Sequence, residues 1–136
     1  MVSRGPSGLL SLATADLITA RHLVVPGLYH NACYHAQQAA EKALKAVLLH
    51  EVGTFPKTHD VSRLVDAIRA SQPRFPEFSI ESAVLNEYAV DMRYDPQVLM
   101  DIDEEEADTA IRYAQDIVDH VRQFLDESPP SDSGNS

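Results

Sequence analysis

The chain contains no tryptophan, one cysteine and five glycines among its 136 residues. A lone cysteine excludes an internal disulfide and every paired-cysteine metal or redox motif, and it suits a reducing compartment. The few glycines form no glycine-rich phosphate loop and no Gly-x-Ser-x-Gly elbow. Long apolar runs are missing as well: nowhere do 18 apolar residues follow one another, which argues against a membrane span. The opening residues, Met1 to Ser7, are too polar and too short for a signal peptide. These absences point to a soluble cytoplasmic protein. No segment alternates with a period of two and none repeats at solenoid length, so neither sheets nor repeat arrays are expected. Basic residues are scarce in the second half. Residues 1–76 carry eight Lys/Arg against five Asp/Glu, a net of +3, whereas residues 77–136 carry three against sixteen, a net of −13. With −10 overall the chain is a poor general nucleic-acid binder, yet its first half can still present a locally basic surface.

Alanine is abundant, and its placement organises the rest. Set at 100° per residue, the stretch Leu28 to Val52 reads as one long helix with two unlike faces. Tyr29, Ala32, Cys33, Ala36, Ala39, Ala40, Ala43 and Val47 gather on one side. That flat, alanine-rich side lets neighbouring helices approach closely at little cost in helix propensity. Cys33 falls on it and reads as a buried structural thiol. His30, Tyr34, Gln37, Gln38, Glu41 and Lys45 gather on the other side, which is either an ordinary solvated face or the lining of a groove.

Four more helices accompany it. The first runs from about Ser7 to His22, with Leu10, Ala13, Leu17 and Ala20 inward and Ser7 as a candidate cap. Pro26-Gly27 interrupts the chain before the central helix, and Gly53 ends that helix. A third helix starts near Thr58 to Asp60, buries Val61, Leu64, Val65 and Ile68, and ends before Pro73. A fourth spans about Glu77 to Asp91, with Ile80, Val84 and Tyr88 in line. Arg93 to Met100 reads as a loop with a turn at Asp95-Pro96. Asp103 caps the fifth helix, with Glu106 as its capping-box partner. From Ala107 to Leu125 an apolar stripe continues, and the polar tail at 128–136 reads as disordered. The expected architecture is an all-α, five-helix up-and-down bundle over residues 1–127.

Chemistry is harder to find. His30 and His35 stand about 140° apart on a helix and share no face. Asp116 and His120 do share one, on the charged side of the last helix, so no metal site and no cofactor is expected. In Pro56-Lys57-Thr58-His59-Asp60, Lys57 precedes a helix N-terminus, whose free N–H groups attract anions. Thr58 or Asp60 serving as a plain cap is the competing reading of the same loop.

Three blocks carry a resemblance. The run Tyr34 to Ala46 (YHAQQAAEKALKA), the loop Pro56 to Asp60 (PKTHD) and the run Leu85 to Tyr94 (LNEYAVDMRY) stand in the order and spacing of the HEPN domain family. The chain resembles that family over about residues 8 to 125. The resemblance implies a helical bundle that forms a homodimer and acts beside a nucleotidyltransferase protein, often as a toxin–antitoxin-like pair. It also implies, for many members, metal-independent endoribonuclease activity from an arginine and a histidine separated by four to six residues. Arg93 matches the arginine, but Val98, Leu99 and Met100 occupy the histidine's place. None of the three accepts a proton, and Arg93 is always protonated, so the general base is missing.

The preferred function is therefore a binding module for a nucleotide or RNA. Arg93 and Lys57 are the candidate phosphate contacts, with Gln37, Gln38 and Lys45 as polar lining. Tyr94 either stacks on a base or packs at a helix end, and Arg93, between Asp91 and Asp95, is either a ligand contact or a salt-bridged helix terminus. The homodimer surface is expected near the fourth helix and Arg93. The rival readings are an endoribonuclease toxin with a divergent active site and a structural interaction module without a ligand.

Overall fold

A computed structural model describes residues 5–89 and 101–127. Arg93, Tyr94, the positions 98–100 and the tail at 128–136 lie outside the described residues.

Helix α1 spans Pro6–His22. Proline fits its first position because the fixed φ is helical and the missing N–H would have no partner there. Gly5 stands at the N-cap, so Ser7, expected as the cap, lies inside the first turn. Helix α2 spans Tyr29–Val52, about 36 Å at 1.5 Å per residue. Gly53 ends it in the left-handed region at φ 81°, sending its N–H to the Leu49 carbonyl at 3.1 Å. Helix α3 spans Val61–Ser71, α4 Ser79–Asn86 and α5 Glu104–Glu127. Among the described residues there are five helices and no strand, and no helix is long and apolar enough to cross a membrane.

Helix α2 is the axis of the bundle, touching each of the other four. Ala32, Ala36, Ala39, Ala40, Ala43 and Ala46 are fully buried along it, so α1 and α5 pack close to its backbone. Helix α5 presses Ala107, Ala110, Ala114, Ile117, Val118 and Val121 inward, and α3 presses Val61, Leu64, Val65 and Ile68. Cys33 lies in this core beside Tyr88 and Glu106. Burial, then the Glu106 charge, push its thiol up to about 12 against a smaller opposing hydrogen bond from Tyr88. The thiol is inert at neutral pH.

The fourth helix departs from expectation at both ends. It begins two residues later than Glu77 because Phe78 adopts a left-handed conformation at φ 47°, unusual for a residue with a Cβ. The aromatic packing offsets that strain: the Phe78 ring sits 5.9 Å from Phe75 and 5.8 Å from His120, both edge-to-face. Phe75 also packs on Phe124 at 5.8 Å. His120 therefore belongs to an aromatic cluster, not to the charged side of the last helix, because the loop before α4 covers that flank. The helix proper ends at Asn86, with a turn over 87–89. Ile80, expected inward, is 67% exposed, and Ser82 and Leu85 are the residues buried on this helix.

At α5 the Asp103 side chain accepts the Glu106 N–H at 2.8 Å, as the expected cap does. The Glu106 carboxylate does not reach back to complete a capping box; it accepts the Tyr88 hydroxyl proton instead. Burial and that carboxylate hold the Tyr88 phenol well above its usual range.

Candidate functional site: a polar network on the central helix

The polar stripe of α2 is buried at its middle, while Tyr34 is exposed and His30, Gln38 and Lys45 are half-buried. Gln37 is fully buried and Glu41 is 4% exposed, because α3 and the loop before it close over this side of the helix. An ionised carboxylate in such a place needs partners, and Glu41 has three. Lys45, one turn on, donates from Nζ to Glu41 Oε2 at 2.8 Å. Gln37, one turn back, donates from Nε2 to Oε1 at 3.2 Å and shares that amide with the His59 carbonyl at 3.0 Å. His59 brings Nδ1 to Oε1 at 3.0 Å from the loop before α3. Burial alone raises the Glu41 carboxyl, but the hydrogen bonds from Lys45, His59 and Gln37 outweigh it and hold the group below its usual range.

The surroundings extend this network to the surface. Gln38 donates to Gln37 Oε1 at 2.7 Å, and the Lys45 ammonium lies 5.2 Å from the Phe55 ring centroid. The His59 side chain is 69% exposed even though one of its nitrogens is tied to a buried carboxylate. Nδ1 is held by Glu41, which leaves Nε2 without a protein partner among the described residues. Lys57, two residues earlier, is exposed.

The start of α3 is closed to anions. The Asp60 side chain accepts the N–H groups of Ser62 at 3.0 Å and Arg63 at 3.3 Å. Asn86, at the end of α4, accepts the Val61 N–H at 2.8 Å and donates back to Asp60 Oδ1 at 2.8 Å. The Ser62 hydroxyl, working against burial and aided by Asn86 and the two backbone donors, lowers the Asp60 carboxyl. Every early N–H of the helix is thus satisfied from within. The capping alternative for this loop is the correct one, and Lys57 has no helix terminus to assist it.

A second ionic cluster ties α1 to α2. Asp16 accepts from Lys42 and holds His35 Nδ1 at 3.0 Å. The three groups share one interhelical seam and anchor the two helices to each other.

Of the residues picked from sequence, Gln37, Gln38 and Lys45 fall together in the Glu41 network and Lys57 stands beside it, while Arg93 and Tyr94 lie outside the described residues. Sequence reasoning passed over Glu41 and His59. The usable signal was the i, i+4 ladder Gln37–Glu41–Lys45, which surrounds a carboxylate with donors on its own helix.

A HEPN domain family model matches residues 7–124. Among solved structures, TT1696 from Thermus thermophilus is similar to this chain with a TM-score of 0.78 and 28% identity, covering 88% of this chain and 98% of that one. ST0689, an archaeal HEPN homologue, is similar with a TM-score of 0.74 and 25% identity, covering 90% and 98%. No curated protein matches the chain.

Proposed function

The chain belongs to the HEPN domain family, and on that premise we propose that it is a cytoplasmic binding module for a phosphate-bearing ligand, a nucleotide or RNA. In this reading it is a homodimer that works beside a nucleotidyltransferase protein in a toxin–antitoxin-like pair. The observation that carries the reading is the exposed His59 ring, fixed by buried Glu41 and bordered by exposed Lys57 and half-buried Gln38. A ring oriented in advance loses little entropy on contacting a ligand. Gln37 and Lys45 act here as supports, since their polar groups are spent on Glu41 and the His59 carbonyl. Arg93 supplies a second phosphate contact and Tyr94 a stacking surface.

The test is fluorescence anisotropy with a labelled short RNA, and calorimetry with ATP, in low salt. The reading expects weak binding that falls as salt rises. His59→Ala and Arg93→Ala each reduce it without altering helicity. Absence of binding to both ligands, or binding indifferent to both substitutions, overturns it. Light scattering coupled to size exclusion tests the homodimer, and a strictly monomeric chain at micromolar concentration contradicts it.

One observation favours the endoribonuclease reading as a second choice. The Glu41–His59 pair is a carboxylate-oriented histidine with an open nitrogen, the type of group that Val98, Leu99 and Met100 cannot supply. In that reading His59 removes the ribose 2′-hydroxyl proton and the enzyme needs no metal. Cleavage of RNA in the presence of a chelator, abolished by His59→Ala, selects this reading over simple binding.

A further inference from the structure

Between α3 and α4 lies a groove of about 390 Å³ whose chemistry differs from that of the network described above. Its polar lining is supplied by Ser62 and Asp66 of α3, Glu77 of the preceding loop, and Ser79, Ser82 and Asn86 of α4. No lining residue is basic. Asp66 is exposed and makes no hydrogen bond or ion pair among the described residues. Glu77 faces Arg69 across 3.7 Å, an exposed contact worth little, and Arg69 also donates to the Phe75 carbonyl. The Asn86 amide is spent on Val61 and Asp60 with a longer contact to Ser62 Oγ at 3.4 Å, and the Ser62 hydroxyl gives its proton to Asp60, which leaves it one lone pair. Independently of these carboxylates, Ser82 is 2% exposed and its hydroxyl has no hydrogen-bond partner among the described residues. A buried hydroxyl without a hydrogen bond is rare because it carries the full cost of its lost hydration.

A groove with two carboxylates, lone pairs on its serines and no basic lining repels anions and offers acceptors to a cation that brings its own hydrogens. No group of three or more His, Cys, Asp or Glu among the described residues is placed to hold a metal ion. A planar guanidinium asks for a paired-oxygen edge, whereas acceptors spread over two helices suit the three diverging donors of a compact ammonium. We propose that the α3–α4 groove binds a primary alkylammonium group, its charge set between Asp66 and Glu77 and an N–H directed to Ser82. Such a group arrives either on a free short diamine or on a lysine side chain of a protein partner. The site is separate from the His59 face and does not depend on the function proposed for it.

The experiment is an NMR titration of the ¹⁵N-labelled chain at fixed ionic strength with 1,4-diaminobutane, Nα-acetyl-lysine amide and tetramethylammonium. The amides of Ser62, Asp66, Ser79 and Ser82 shift with the first two and not with the third, which has the charge but no N–H. Tighter binding of the diamine assigns the site to a free polyamine, and tighter binding of the lysine amide to a partner's side chain; both sustain the ammonium site. The double variant Asp66→Asn/Glu77→Gln, altered only at the surface, loses roughly tenfold or more in affinity. Ser82→Ala loses about threefold to tenfold. No shifts with either amine, equal shifts with tetramethylammonium, or equal affinity across wild type and variants overturns the proposal.

Discussion

Two polar regions meet at the start of α3 and are built on opposite plans. Around Glu41 a buried carboxylate is met by Lys45, Gln37 and His59, and the Gln37 amide is completed by Gln38 and a backbone carbonyl. In the α3–α4 groove, among the described residues, the Asp66 carboxylate makes no ion pair or hydrogen bond and the buried Ser82 hydroxyl has no partner. Asn86 and Asp60 form the wall between the two. The contrast teaches where to look for function. A satisfied network fixes backbone and rotamers, so it serves by presenting one group, the His59 ring, to the outside. An unsatisfied one stores a cost that a ligand relieves.

Breaking the closed network has the largest effect. Glu41→Ala leaves the half-buried Lys45 ammonium without its partner, and a loss of about 3–5 kcal/mol is expected in urea unfolding. Replacing Lys45 by Met in the same chain recovers part of it, because no uncompensated charge is then left near the core. If the single variant costs no more than a surface substitution, Glu41 is not the hub.

Acid probes the same group more gently, since it removes the charge and keeps the side chain. The folded Glu41 carboxyl lies below its ordinary value of 4.5, so between the two values the unfolded chain binds more protons than the folded one. The stability it contributes is full above 4.5 and is lost as pH falls through the folded value. The lowered Asp60 carboxyl acts in the same direction below its ordinary 3.8. Unfolding midpoints measured from pH 7 to pH 3 fall in this window, and Glu41→Gln flattens the upper part of the decline. An unchanged curve in that variant contradicts the assignment.

At the wall, Asn86→Ala strands the Val61 N–H and removes a donor from Asp60, and a loss of roughly 1–3 kcal/mol follows. The open groove gives the smallest effect, with opposite sign. Ser82→Ala deletes a hydroxyl that has no partner among the described residues, so the ligand-free chain is expected to gain up to about 1 kcal/mol in thermal unfolding. A clear loss of stability shows that the hydroxyl is bonded and offers the groove no open acceptor.

The fold was legible in the sequence because α2 and α5 write their burial in alanine and β-branched stripes with an unambiguous period. Val61, Leu64, Val65 and Ile68 likewise announced α3. What periodicity could not reveal was tertiary cover. Gln37 and Glu41 read as part of either a solvated face or a groove lining, since nothing local tells that the loop before α3 lies over them. Phe78 shortened the fourth helix through a left-handed turn held by Phe75 of the same loop and His120 of the last helix. Ile80, expected inward, consequently faces out, and Ser82 is buried. The PKTHD loop drew attention to Lys57, while His59 acquired its importance only from a carboxylate eighteen residues earlier in the chain.

The most direct test of this division of labour is a side-by-side chemical-shift map of the ¹⁵N-labelled chain with ATP and with 1,4-diaminobutane. ATP is expected to move the amides of Gln38, Lys57 and His59, and the diamine those of Asp66, Ser79 and Ser82, with little overlap. Both ligands shifting one common set of residues, or ATP leaving Lys57 and His59 unmoved, would contradict it.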